Sequence, residues 1–177
     1  GDNIDDLIVV FPGSVDVVLL DGAGAAVGTQ TVASTFIPLA VATGRFDNNA
    51  DVDVVVLGSA GARVLLGDGA GGLATGTDIA VSQAAGNILE QDLVVADLPS
   101  GALPAGAPDG NLDLVVTNAG AADEINVLFG AGDGTFGAPV TLATPADDPG
   151  DLVVEDLDGD GHLDVATTLF VPDTVAI

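Results

Sequence analysis

Apolar residues along this chain fall into short runs rich in Val, Leu and Ile, separated by clusters of Gly, Asp and Pro. That rhythm reads as β-strands joined by tight turns. Sustained helical periodicity is absent. Inside the runs nearly every residue is apolar, as in Val54–Leu57 and Leu114–Val116, so both faces of each strand are expected to be covered, as in stacked sheets. Strands are predicted near 38–46, 52–57, 62–67 and 76–81, and again near 92–98, 112–118, 124–130 and 138–143. The stretch 86–92 fits a strand least well and allows a helical turn at its start.

The runs repeat. An acidic loop leading into a β-branched strand occurs at Asp2–Val10, Arg45–Val56, Asp97–Val116 and Asp156–Thr167. It alternates with an apolar strand ending in a glycine-rich turn, at 18–27, 64–73 and 127–136, with a shortened copy at Asp173–Ile177. The aspartates closing the acidic loops are Asp6, Asp53, Asp113 and Asp164, at spacings of 47, 60 and 51. The long spacing arises within 98–109, a Pro/Gly-rich insertion in the third loop. Without it the period is near 50, in the range of four-stranded propeller blades. The pattern divides the chain into a partial unit of three strands (1–35), a full unit (36–83), a full unit with the insertion (84–145) and a partial unit of three strands (146–177). The cut units and Gly1 at the start, without Met, predict part of a longer protein or units completed by a partner.

Residues 156–164 carry the most specific chemistry. Asp156, Asp158, Asp160 and Asp164 stand at positions 1, 3, 5 and 9 of the loop, with Gly159 and Gly161 between them. Oxygen ligands at that density suit a hard cation such as Ca²⁺. Glycine allows the φ > 0 backbone needed to wrap an ion.

Composition narrows the classes. Lys is absent, Arg45, Arg63 and His162 are the only other basic side chains, and the net charge is −25. Nucleic acid and anionic membranes, bound through basic patches, are excluded as expected partners. Of the 27 acidic residues only Glu90, Glu124 and Glu155 are Glu; the Asp bias suits turns and metal loops. With no Cys there is neither a disulfide nor a thiolate. No run is long enough for a membrane helix.

The two alternating signatures resemble the FG-GAP repeat, also called VCBS in bacterial surface proteins and found in the integrin α-subunit head. The resemblance covers essentially the whole chain. It implies an all-β fold, a β-propeller of four-stranded antiparallel blades, with about three to four blades here as part of a larger propeller. It places calcium loops between the first and second strands of a blade. Positions 1, 3, 5 and 9 then ligate through side chains and position 7 through its carbonyl. For the fourth loop this gives Asp156, Asp158, Asp160, the His162 carbonyl and Asp164. The third loop keeps Asp97, Asp109, the Asn111 carbonyl and Asp113. The second has Asp47, Asn49, Asp51 at the carbonyl position and Asp53, but Arg45 at position 1. It is read either as a weakened calcium site or as a pseudo-site in which Arg45 neutralises Asp47 and Asp53. The first retains Asp2, the Ile4 carbonyl and Asp6. Position 12 of the fourth loop is Thr167 and strand follows, so the loop is not an EF-hand.

Other motifs have plainer readings. Gly67–Gly72 superficially resembles a phosphate cradle, but no Lys follows it; hairpin turns explain it. Leu73 and Phe136, just after their turns, read as repeated packing anchors. Arg63 reads as a surface charge. One His and no Cys, Lys or Tyr leave few groups for acid–base or nucleophilic work, so no enzyme is expected. The expected function is a calcium-binding extracellular scaffold, secreted or at the cell surface, serving adhesion or assembly. Its partners would be another protein or copies of itself. The alternatives are a carbohydrate-binding accessory module, weakened by the lack of Trp and Tyr, or a filament subunit completed by neighbouring copies.

Overall fold

A computed structural model describes residues 5–47, 49–81, 91–99, 107–118, 123–144, 147–171 and 174–177. The described residues are all-β, with no helix. They form four antiparallel meanders, each a sheet whose strands pair in chain order.

The first sheet contains β1 (Leu7–Phe11), β2 (Ser14–Leu20) and β3 (Ala26–Ala33). The second contains β4 (Pro38–Gly44), β5 (Asp53–Gly58), β6 (Gly61–Gly67) and β7 (Leu73–Ile79). The third contains β8 (Leu93–Ala96), β9 (Asp113–Asn118), β10 (Glu124–Leu128) and β11 (Val140–Ala143). The fourth contains β12 (Asp147–Glu155), β13 (Asp164–Val171) and β14 (Thr174–Ala176). The strands follow the apolar runs closely. β7 starts three residues before its predicted position, because Leu73 pairs with Gly67 directly after the turn. Of the stretch 86–92, residues 86–90 lie outside the described residues; most of the 98–109 insertion, 100–106, does too.

Consecutive sheets pack face to face, with a separate core between each pair. Val15 of the first sheet meets Val54, Val56 and Leu65 of the second. The other face of the second sheet, through Val55, Leu57 and Val64, packs on Leu114, Val116 and Leu128 of the third. The third sheet then turns Val115, Ile125 and Val127 toward Leu152 of the fourth. In β5, Val54 and Val56 thus face backward and Val55 and Leu57 forward, all nearly inaccessible to solvent. This is the two-residue strand period with both faces buried, which accounts for the unbroken apolar runs.

The anchors after the turns behave as expected. Leu73 packs into the core between the first and second sheets, and Phe136 into the next core. Phe136 meets Phe46 edge-on, with ring centroids 5.7 Å apart. Arg63 corrects its reading as a surface charge. Its side chain is 17% exposed and paired with Asp78, and its guanidinium lies over the Phe36 ring. Ion pairing and the flat face of the guanidinium let it lie at the sheet–sheet boundary. Asp78 is held below the ordinary aspartate range by its hydrogen bond to Arg63.

Candidate metal centre

The second, third and fourth acidic loops each link the first strand of a sheet to the second, the first loop leads into β1, and position 9 is the residue immediately before or opening the strand that follows. In the second and third loops this aspartate is buried and fully engaged. Phe46 N–H donates to Asp53 Oδ2 at 2.8 Å and Gly67 N–H to Oδ1 at 2.9 Å. Leu98 N–H donates to Asp113 Oδ2 and Gly130 N–H to Oδ1, both at 2.7 Å. The carboxylate therefore ties the start of the loop to the end of the third strand of its sheet. Asp6 makes the corresponding bond, accepting from Leu20 N–H at 2.9 Å. Asp164 accepts from Leu157 N–H at 3.0 Å, and its other oxygen has no bond among the described residues.

The glycine-rich turn closes the same unit. A Cβ at Gly67 would run into the carbonyl of Val52, and one at Gly130 into that of Leu112. Only glycine allows the third strand to approach the acidic loop so closely. The turns are also held by aspartate: Ala70 and Gly72 N–H donate to Asp68 Oδ1 at 2.8 Å, and Ala23 and Ala25 N–H to Asp21 Oδ1. These bonds hold both carboxyls below the ordinary range.

In the fourth loop, Asp156, Asp158 and Asp164 each offer a carboxylate oxygen, all within 4.8 Å of one another. Backbone amides arrange them: Gly159 and Gly161 N–H donate to the two oxygens of Asp156, and Asp160 N–H to Asp158 Oδ1. Asp160 is not one of this trio; its Oδ1 accepts from His162 N–H at 2.8 Å. No ion pair joins the group to a cation among the described residues. Each pair of charges 4 Å apart repels by about 1 kcal/mol through bulk water and about 4 kcal/mol at an effective dielectric near 20. The donor set therefore fits a hard cation: anionic oxygens, held by amides and lacking a counter-charge.

The other loops differ. In the second, Asn49 N–H and its side-chain amide donate to the two oxygens of Asp47, and Asn49 Oδ1 accepts from Asp51 N–H. Arg45 Nε donates to the Ala50 carbonyl at 3.0 Å; among the described residues it forms no ion pair with Asp47 or Asp53. Among the described residues Arg45 thus makes neither of the ion pairs that the pseudo-site reading expects. The guanidinium closes the loop through a carbonyl, Asn49 fills the Asp47 carboxylate, and two amides fill Asp53. Asn49, at position 5 of a loop read as a weakened calcium site or a pseudo-site, bonds within its own loop among the described residues.

In the third loop, Gly110 N–H approaches both oxygens of Asp97 at 3.1–3.2 Å and Asn111 N–H donates to Asp109. Burial pushes the Asp113 carboxyl up, opposed by its bonds to Gly130 and Leu98 and reinforced by the charges of Asp109 and Asp97. These three carboxylates converge but do not reach the mutual spacing of the fourth-loop trio. In the first loop Asp2 and Ile4 lie outside the described residues.

Among the described residues these observations define an all-β repeat architecture in which the first three sheets are each stitched by an acidic loop and a glycine-rich turn. Residues 108–167 match the FG-GAP-like repeat, a segment running from the end of the third acidic loop through the whole of the fourth. Over this segment the chain is similar to that family. A comparison with curated proteins finds no match.

Proposed function

We propose that this chain is a non-catalytic, calcium-stabilised repeat scaffold of the β-propeller type, acting outside the cell or on its surface in adhesion or assembly. The observation that carries the reading is the fourth loop, where Asp156, Asp158 and Asp164 converge without a cationic partner inside the matched repeat. Four stacked antiparallel meanders are also the material from which propeller blades are made.

Within this reading Asp156, Asp158 and Asp164 hold Ca²⁺, with Asp160 and the His162 carbonyl completing the family's ligand pattern. Bound calcium offsets the repulsion among the carboxylates and fixes the loop against the start of β13. The third loop is a second, weaker candidate, whose Asp113 already serves two amides.

Calorimetric titration of the demetallated protein with CaCl₂, paired with thermal melts in calcium and in EGTA, tests the reading. The expected result is saturable binding and a lower melting temperature in EGTA, with both effects reduced in Asp158→Ala. Identical melts in calcium and EGTA would count against structural calcium.

A further inference from the structure

We propose that Asp92, a third-sheet residue outside the acidic loops, is a positioning residue for the fourth-loop carboxylates. Its side chain fixes the register in which β12 delivers Asp156 and β13 begins at Asp164. The proposal rests on the calcium reading above and adds to it a control of that site by the neighbouring sheet.

Asp92 is tied down on its own sheet. Its N–H donates to Thr117 Oγ1 at 2.7 Å, its carbonyl accepts from Thr117 N–H at 3.1 Å, and its Oδ1 accepts from Leu93 N–H at 2.8 Å. Thr117 is fully buried. Val94 and Ala96 pack toward the fourth sheet, and Asp92, two residues before Val94, shares their face. Its second oxygen, Oδ2, accordingly reaches across, accepting from Leu152 N–H of β12 at 2.9 Å. Leu152 is buried in the core between the two sheets. A hydrogen bond to an ionised acceptor is among the strong ones.

The amide it holds lies at a register shift. From Pro149 to Leu152 β12 takes three steps, while β13 takes two, from Leu169 to Thr167. The extra residue is a β-bulge, which interrupts the ladder and lets the register be reset. From Leu152 onward the pairing is regular and ends with Glu155 opposite Asp164. Asp156 follows directly, so this last pair sets the two ends of the loop. A one-residue slip of Leu152–Glu155 would turn each side chain to the other face. It would also shift Asp156 and Asp158 along β13 relative to Asp164, whose oxygens lie within 4.8 Å of theirs. Asp92 thus grips the strand on the loop side of the bulge, where slippage would cost the site its spacing.

The second sheet lacks this device. Counting back from the pairs that close the loops, Gly44–Asp53 and Ala96–Asp113, Asp92 corresponds to Ala40. Ala40 packs in the core between the second and third sheets and its side chain offers no acceptor. The third loop, at the end of β8, does not bring its carboxylates to the trio spacing among the described residues. A second clip joins the third and fourth sheets on the far side of the bulge, where Asp148 N–H donates to Asp123 Oδ1 at 3.1 Å. It holds the sheets together without acting on the loop-side register, and so separates positioning from simple adhesion of the sheets.

Calorimetric titration of the demetallated chain with CaCl₂ tests this in three variants. Asp92→Ala should weaken calcium affinity about tenfold, within the usual range of coupling between linked sites. Asp92→Asn keeps an oxygen that can accept from Leu152 N–H and should recover most of that loss. Asp123→Ala removes the other clip and should lower stability while leaving calcium affinity unchanged. Coupling is reciprocal, so calcium should slow hydrogen exchange at the Leu152 amide of the unaltered chain relative to EGTA. That measurement decides the matter even where Asp92→Ala fails to fold. Unchanged affinity in folded Asp92→Ala, equal weakening by Asp123→Ala, or Leu152 exchange indifferent to bound calcium overturns the positioning role alone. An unaltered chain that binds no calcium overturns the calcium reading on which it rests.

Discussion

The second and fourth acidic loops share their length and their closing aspartate, yet arrange their carboxylates differently. In the second, Asp53 is buried and both oxygens accept from amides, while Asn49 satisfies both oxygens of Asp47. In the fourth, Asp156, Asp158 and Asp164 are not fully buried, converge within 4.8 Å and lack a cation. Amides reach both oxygens of Asp156 as well, so the difference is that the fourth loop gathers three carboxylates while the second closes Asp47 with Asn49 and Asp53 with two amides. The closing aspartate is therefore first a structural staple, and only where positions 1 and 3 also supply carboxylates does the loop gather the trio on which the calcium proposal rests.

Removing the staple is the strongest way to sharpen that contrast. Asp113→Ala leaves the Leu98 and Gly130 amides without their acceptor. At roughly 1.5–3 kcal/mol for each bond to a charged group, the loss should be about 3–6 kcal/mol. Urea denaturation, with or without calcium, reads it. Asp53→Ala should behave likewise. An equally large calcium-independent loss in Asp164→Ala would erase the distinction between the loops.

Calcium removal comes next. At a hundredfold excess over Kd, binding to the native state alone adds about 2.7 kcal/mol per site. Melting the protein in calcium and in EGTA should show that difference, and Asp158→Ala should abolish most of it. Asp47→Ala, in the loop already satisfied by Asn49, should leave the calcium increment unchanged. If Asp47→Ala removed as much of the increment as Asp158→Ala, the second loop would also be a metal site.

The close approach of glycine to loop predicts a smaller effect. A methyl group at Gly130 meets the Leu112 carbonyl, a backbone atom that cannot rotate away. Gly130→Ala should cost about 1–3 kcal/mol as a small-to-large substitution in a packed site. Gly159→Ala has open space at Cβ but φ of 81°. It should cost about 1 kcal/mol through backbone strain alone. Equal urea midpoints for the two variants would show that the carbonyl contact is readily relieved.

Much of this was legible in the sequence, for a physical reason. Strands covered on both faces must be apolar at every position, so Val54–Leu57 and Leu114–Val116 announce stacked sheets directly. Spacing also placed Asp156, Asp158 and Asp164 in one short loop, where the structure brings their carboxylates together without Asp160. The hydrogen-bond partners were not legible. Spacing shows that Asp53 and Asp113 point into their loops; it does not show that the amides of Gly67 and Gly130, 14 and 17 residues later, reach them first. The same limit hid Arg63, whose setting is made by Phe36 and Asp78, one on either side of it in sequence.

The finest test of the comparison uses acid, because different aspartates carry opposite signs. Asp68 is held below the ordinary value of 3.8 by the Ala70 and Gly72 amides. It binds protons less readily folded than unfolded, so its stabilisation is present above that value and is lost as pH falls through its lowered folded value. Asp113 is pushed above 3.8, chiefly by burial. Its proton-linked contribution is present below 3.8 and is lost as pH rises through its raised folded value. Urea midpoints measured from neutral to acidic pH in EGTA, which removes the metal contribution, should therefore respond oppositely to two substitutions. Asp68→Asn should flatten part of the fall in stability on the acid side, and Asp113→Asn should remove a contribution that favours the native state at low pH. The Asp68 effect should be small, since the turn is exposed and solvent screens it. A common sign for the two variants would mean that the buried staple and the exposed turn bind their amides in the same electrostatic setting, against the burial that separates them.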